Sequence, residues 1–155
     1  MRTIVATLTV LLIFSVLAAA NGDLRLSASL EKSEVKNGEP ISLELVLKNI
    51  SKRRVHVVRT NYLNDYKIEV KDGRGSLVMP TERGKELLVQ SMFISGRTSM
   101  YLDPGQELRI KIDVSRIYSF EKPGTYTISA KRQVPKRNNR GWTEVAANTV
   151  KLVVQ

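Results

Sequence analysis

Apolar and polar side chains alternate with a period of two in one segment of this chain after another, and that rhythm confines most of it to half-buried strands. Leu24, Leu26, Ala28 and Leu30 alternate with Arg25, Ser27, Ser29 and Glu31. Ile41, Leu43, Leu45 and Leu47 face away from Ser42, Glu44 and Lys48, with Val46 the one apolar residue on the outer side. After the break at Asn49-Ile50-Ser51-Lys52 the pattern resumes over Arg53 to Thr60, with Val55 and Val57 opposite Arg54, His56 and Val58, and a hairpin with the preceding strand is expected. Tyr66, Ile68 and Val70 precede the turn string Asp72-Gly73-Arg74-Gly75, which leads into Ser76 to Met79 as a second expected hairpin.

Asp103-Pro104-Gly105-Gln106 opens a strand with Leu108, Ile110, Ile112 and Val114 inward. Pro123-Gly124 opens another carrying Tyr126, Ile128 and Ala130, and Val150, Leu152 and Val154 close the chain. No long stretch shows helical spacing, so residues 81–101 are expected to supply a further strand pair. Short strands with turn signals about every 8 to 12 residues imply an all-β chain, an immunoglobulin-like antiparallel β-sandwich of about seven to nine strands. Gly124-Thr125-Tyr126 fits a tyrosine corner, in which the Tyr126 hydroxyl bonds a nearby backbone group.

Ahead of the strands, Arg2, the apolar run Ile4 to Leu17 and Ala18-Ala19-Ala20 read as a secretory signal peptide, because small residues are what the peptidase pocket admits. The expected division is a signal over 1–20 and one domain over 21–155. The mature chain is then exported, periplasmic or secreted, with no membrane span after cleavage. It contains no cysteine, so packing and hydrogen bonds alone must hold it together, without disulfides or thiolate metal sites.

The same shortage narrows the chemistry. With one histidine and no cysteine, a zinc site cannot be assembled from the usual parts, and any nucleophile–imidazole arrangement would have to rest on His56 alone. Strand alternation puts His56 on the polar face as a solvated side chain. The carboxylates are scattered, and Asp72 beside its glycines lacks the oxygen spacing of a calcium loop. The expectation is a non-enzymatic chain with no catalytic residues, no metal and no cofactor.

Binding is left. Lys and Arg number 25 against 15 Asp and Glu, a formal +10 at pH 7, which favours solubility and anionic partners. Lys131, Arg132, Lys136, Arg137 and Arg140, with Trp142, fall between the last two strands as a basic loop with one aromatic platform, a candidate anion or glycan contact. Met92, Phe93, Ile94 and Tyr101 are the candidate protein contacts, since methionine and aromatics on a surface favour partner binding. The expected partner is another protein or an anionic envelope polymer, in preference to nucleic acid; oligomeric state is not readable.

Leu43-Glu44-Leu45-Val46-Leu47-Lys48-Asn49, the segment Asn64 to Gly75, Leu102-Asp103-Pro104-Gly105-Gln106 and Pro123-Gly124-Thr125-Tyr126-Thr127-Ile128 together resemble, in order, the landmarks of the BsuPI-like proteinase inhibitor domain. The resemblance spans about residues 41–130 and implies a sandwich fold and, as an alternative activity, inhibition of subtilisin-like serine proteases. It assigns no reactive-loop residue. The name-giving type is intracellular, whereas this chain opens on an export signal.

Overall fold

A computed structural model describes residues 22–93, 96–137 and 140–155; the expected signal peptide over 1–20 lies outside them. The first sheet contains β1 (Leu24–Leu30), β3 (Ser42–Asn49) and β7 (Glu107–Asp113), in the order β1-β3-β7 and antiparallel throughout. The second contains β2 (Glu34–Val35), β10 (Val150–Val154), β8 (Gly124–Pro135) and β5 (Tyr66–Lys71) in the order β2-β10-β8-β5, with β9 (Trp142–Ala146) also on β8. The expected immunoglobulin-like sandwich is therefore present, with ten strands among the described residues.

Register follows the period-two pattern. Leu26 lies opposite Leu47, and Leu45 lies between Ala28 and Ile110, so the apolar sides of the first sheet coincide. Leu26, Leu43, Leu45, Leu47, Ile128 and Leu152 are fully buried. Tyr126 donates its hydroxyl to the Lys122 carbonyl at 2.7 Å and meets Phe120 edge-on at 5.0 Å, which bears out the tyrosine corner.

Between β10 and β9, Asn148 performs a strand's work with a side chain. Its Oδ1 accepts from Ala28 N and its Nδ2 donates to Ala28 O, both at 2.9 Å, tying β1 of one sheet to the β9–β10 link of the other. The pair satisfies a donor and an acceptor on the open edge of β1.

Three expectations are corrected. β4 (Val55–Arg59) does not pair with β3; it forms a separate two-stranded ribbon with β6 (Thr98–Leu102), while β7 takes the place beside β3. The turn after β5 forms, with Asp72 N donating to Ser76 O at 2.9 Å, yet Ser76 to Met79 contributes only a bridge at Leu77, and the ladder partner of β5 is β8. Residues 81–101 are not a strand pair: α2 (Glu82–Phe93) fills most of the segment.

That helix starts where Thr81 Oγ1 accepts from Gly84 N at 2.9 Å, an N-cap. Its inner face carries buried Gly84 and Ser91 with half-buried Leu87 and Leu88, a helical spacing in which two positions are not apolar. The inner end is hooked to α1 (Tyr62–Asp65): Asn64 Nδ2 donates to Ser91 O at 2.6 Å, and Ser91 Oγ donates to Asn64 Oδ1 at 2.8 Å.

Two buried phenols set an alkaline limit. Burial first, partly offset by the Arg132 guanidinium, raises the pKa of Tyr66, and burial likewise raises that of Tyr118, whose hydroxyl donates to Ile68 O at 2.7 Å. A raised folded pKa means the unfolded chain loses these protons first, so the stabilisation is complete below about pH 10 and is lost as pH rises through the folded values. Urea midpoints should fall between about pH 9 and pH 11, and Tyr118→Phe should flatten the fall; equal slopes in the two proteins would contradict this assignment.

Candidate functional site

The sequence brings Arg53 and Arg54 to a fixed position because Asn49, at the end of β3, is completely buried. Its Nδ2 donates to Arg53 O at 2.7 Å and to Leu102 O at 2.8 Å, while its Oδ1 accepts from Ser51 N at 2.9 Å and from Ser51 Oγ at 2.8 Å. One amide thus closes the turn into β4 and pins it to β6. Asn49→Asp would set a carboxylate against two carbonyl oxygens and should cost about 2–4 kcal/mol; a urea midpoint unchanged from wild type would refute this role.

From this turn a cavity of about 1030 Å³ opens between the β4–β6 ribbon, the start of β1 and the β8–β9 hairpin. One wall carries Arg53, ion-paired with Asp23, and Arg54, whose Nε is 2.9 Å from Asp103 Oδ1 and whose guanidinium lies 5.1 Å from the centre of the Tyr101 ring. The β8–β9 hairpin adds Lys136 and Arg137 to the lining, both exposed. The hairpin turn that presents them closes with Lys136 N donating to Gly141 O at 2.9 Å, and Gly141 has φ 91°, a left-handed conformation natural to glycine. Among the described residues neither Lys136 nor Arg137 is ion-paired with a carboxylate, so their charge faces solvent uncompensated.

Val55, Val134, Pro135 and the half-exposed Tyr101 also line the cavity. His56 lies there too, its ring 5.4 Å from Tyr101. It is half-buried and its Nδ1 is buried without a hydrogen-bond partner, which corrects the expectation of a solvated side chain. A two-stranded ribbon packed against the main body shields both of its faces in part, so alternation alone does not place His56 in water.

The remaining basic-loop candidates separate. Lys131 and Arg132 are inside β8, because that strand runs on to Pro135. Lys131 pairs with Glu144 at 3.0 Å and, with Trp142, Met92 and Arg97, lines a second cavity of about 450 Å³. Arg132 is a buried cation and not an exposed loop residue: 2 % exposed, it donates to Tyr66 Oη at 2.6 Å and to Val58 O at 2.8 Å. Its guanidinium also lies 3.5 Å from Asp65 Oδ2 and 4.7 Å from the Tyr66 ring centre.

Arg140 is exposed and lines neither cavity. Of the candidate protein contacts, Met92 belongs to the second cavity, Tyr101 to the first, Phe93 stands exposed at the end of α2, and Ile94 lies outside the described residues. Arg53 and Arg54 were not among the expected site residues. Their signal was the run Lys52-Arg53-Arg54 directly after a break in the strand pattern.

No protein-family model matches the chain and no curated protein matches it by sequence, so the likeness to the BsuPI-like domain gains no support there. Among solved structures the chain is similar to the CARDB domain of a Pyrococcus furiosus protein, in complex with di-metal ions, at 16% identity and TM-score 0.44, over 86% of this chain and 88% of that one. It is similar to the C-terminal domain of wzt at 12% identity and TM-score 0.48, over 84% and 71%. A third is a β-glucosidase from Listeria innocua, 14% identical with TM-score 0.43, where 85% of this chain matches 16% of that enzyme.

Proposed function

We propose that this protein is an exported, non-catalytic binding module whose groove between the β4–β6 ribbon and the β8–β9 hairpin holds an anionic ligand. The observation carrying this reading is the pair Lys136 and Arg137, exposed and without a carboxylate partner among the described residues, lining the same cavity of about 1030 Å³ as Arg53 and Arg54. Arg53 and Arg54 already hold Asp23 and Asp103, so their charge is partly spent and they act as a fixed wall. Lys136 and Arg137 supply the attraction. Such exposed charge acts over roughly 10 Å at 0.1 M salt, so binding should weaken as salt rises.

Proteinase inhibition, which the BsuPI-like resemblance implies, calls for an extended reactive segment. Residues Glu82–Phe93, the largest insertion between the sandwich strands, are helical, and no feature of the groove favours that reading.

Retention on a sulfated matrix tests the proposal. The protein should elute at markedly higher salt than its Lys136→Ser/Arg137→Ser variant, while Arg140→Ser should elute near wild type because Arg140 is outside the groove. Retention indifferent to salt, or unchanged by the paired substitution, would overturn the assignment.

A further inference from the structure

We infer, resting on the anion-groove reading above, that the ligand is an acidic polysaccharide: pyranose rings bearing carboxylates or sulfates at intervals along a chain. The cations occur in two separated places, Arg53 and Arg54 at the entry to β4 and Lys136 and Arg137 on the β8–β9 turn. A single inorganic anion would be met by one cluster. The volume is at the upper end of the roughly 300–1,000 Å³ that holds a drug-sized molecule, which leaves room for more than one sugar unit.

The aromatic lining decides the class. Tyr101, 55% exposed, presents its ring among the residues that line the cavity. The C–H face of a pyranose can cover such a ring while its charged substituents reach the cations. A polyphosphate has no apolar face to bury there. An acidic peptide carries each charge on a flexible stem whose rotamer freedom is lost on binding. Single-stranded nucleic acid is served by successive stacking platforms, and Trp142, the one tryptophan, lines the other cavity.

Isothermal titration at low salt with an oligogalacturonate, a linear polyphosphate and an oligoglutamate of matched charge distinguishes these ligands. The oligogalacturonate should bind at least about tenfold more tightly than the other two. Tyr101→Val, which keeps a strand-favouring residue in β6, should remove about that factor for the oligogalacturonate and weaken polyphosphate binding, through the Arg54 that lies over the ring, by no more than about twofold. Tyr101→Phe should keep wild-type affinity, which gives a readout even if the valine variant fails to fold. Equal affinities for the three, a preference for polyphosphate or oligoglutamate, or unaltered galacturonate binding by a folded Tyr101→Val variant would overturn the polysaccharide assignment and leave the anion groove standing. Absence of binding by all three would overturn the groove reading itself, and this inference with it.

Discussion

Arg132→Met is expected to lower the unfolding free energy by about 3–5 kcal/mol, the cost of breaking a buried ion pair by removing one partner. Methionine can fill much of the volume, but it donates no hydrogen bond. Asp65, whose side chain is 8% exposed, would keep only its hydrogen bonds from Thr60, and the Tyr66 hydroxyl and Val58 carbonyl would each lose a donor. Arg132→Lys should recover little, because an ammonium is a point charge and cannot span Asp65, Tyr66 and Val58 together. Adding Asp65→Asn to Arg132→Met should restore part of the loss, since the stranded carboxylate is then neutral. Urea unfolding of the three variants reads all of this. An Arg132→Met loss under about 1 kcal/mol would show that the cation is solvated after all.

The second large effect runs against helix propensity. Gly84→Ala would stabilise an isolated helix by about 1 kcal/mol. Here the added Cβ would come to 2.1 Å from the Ile117 carbonyl oxygen, which is backbone and also accepts from Thr81 N at 2.9 Å. Helix and loop must part for the methyl to enter, and overpacking of this kind costs about 1–3 kcal/mol, beyond what propensity returns. Net destabilisation of about 2 kcal/mol, with faster amide exchange over Leu87 to Ser91, is the expected outcome. Val89→Ala, on the exposed side of the same helix, should stay within about 0.5 kcal/mol of wild type. A neutral or stabilising Gly84→Ala would mean that α2 is not seated on Ile117.

The sandwich was legible wherever burial follows a two-residue period. Leu43, Leu45 and Leu47, or Tyr126, Ile128 and Ala130, are inward for the reason their spacing states. The same rhythm continues through Arg132 and Val134, both buried, so the parity of β8 marked Arg132 as inward. Charge suggested a loop instead, because the partners that make a buried guanidinium tolerable come from Asp65 and Tyr66, far away in sequence. Helix α2 was hidden for a different reason: Gly84 and Ser91 face inward because close approach and a hydrogen bond need small or polar residues there, and neither registers as apolar. The groove was half legible. Lys136 and Arg137 stood out as a basic turn, whereas its other wall depends on Asn49 folding the chain back toward Leu102.

A nitrogen-resolved NMR titration with an acidic oligosaccharide tests the central claim most directly, because it locates binding residue by residue. The groove predicts that shifts concentrate at Arg53, Arg54, Val55, His56, Tyr101, Lys136 and Arg137 and fade as salt is added. Shifts centred instead on α2 or on the outer edge of β7, or spread thinly over every exposed lysine and arginine, would contradict it.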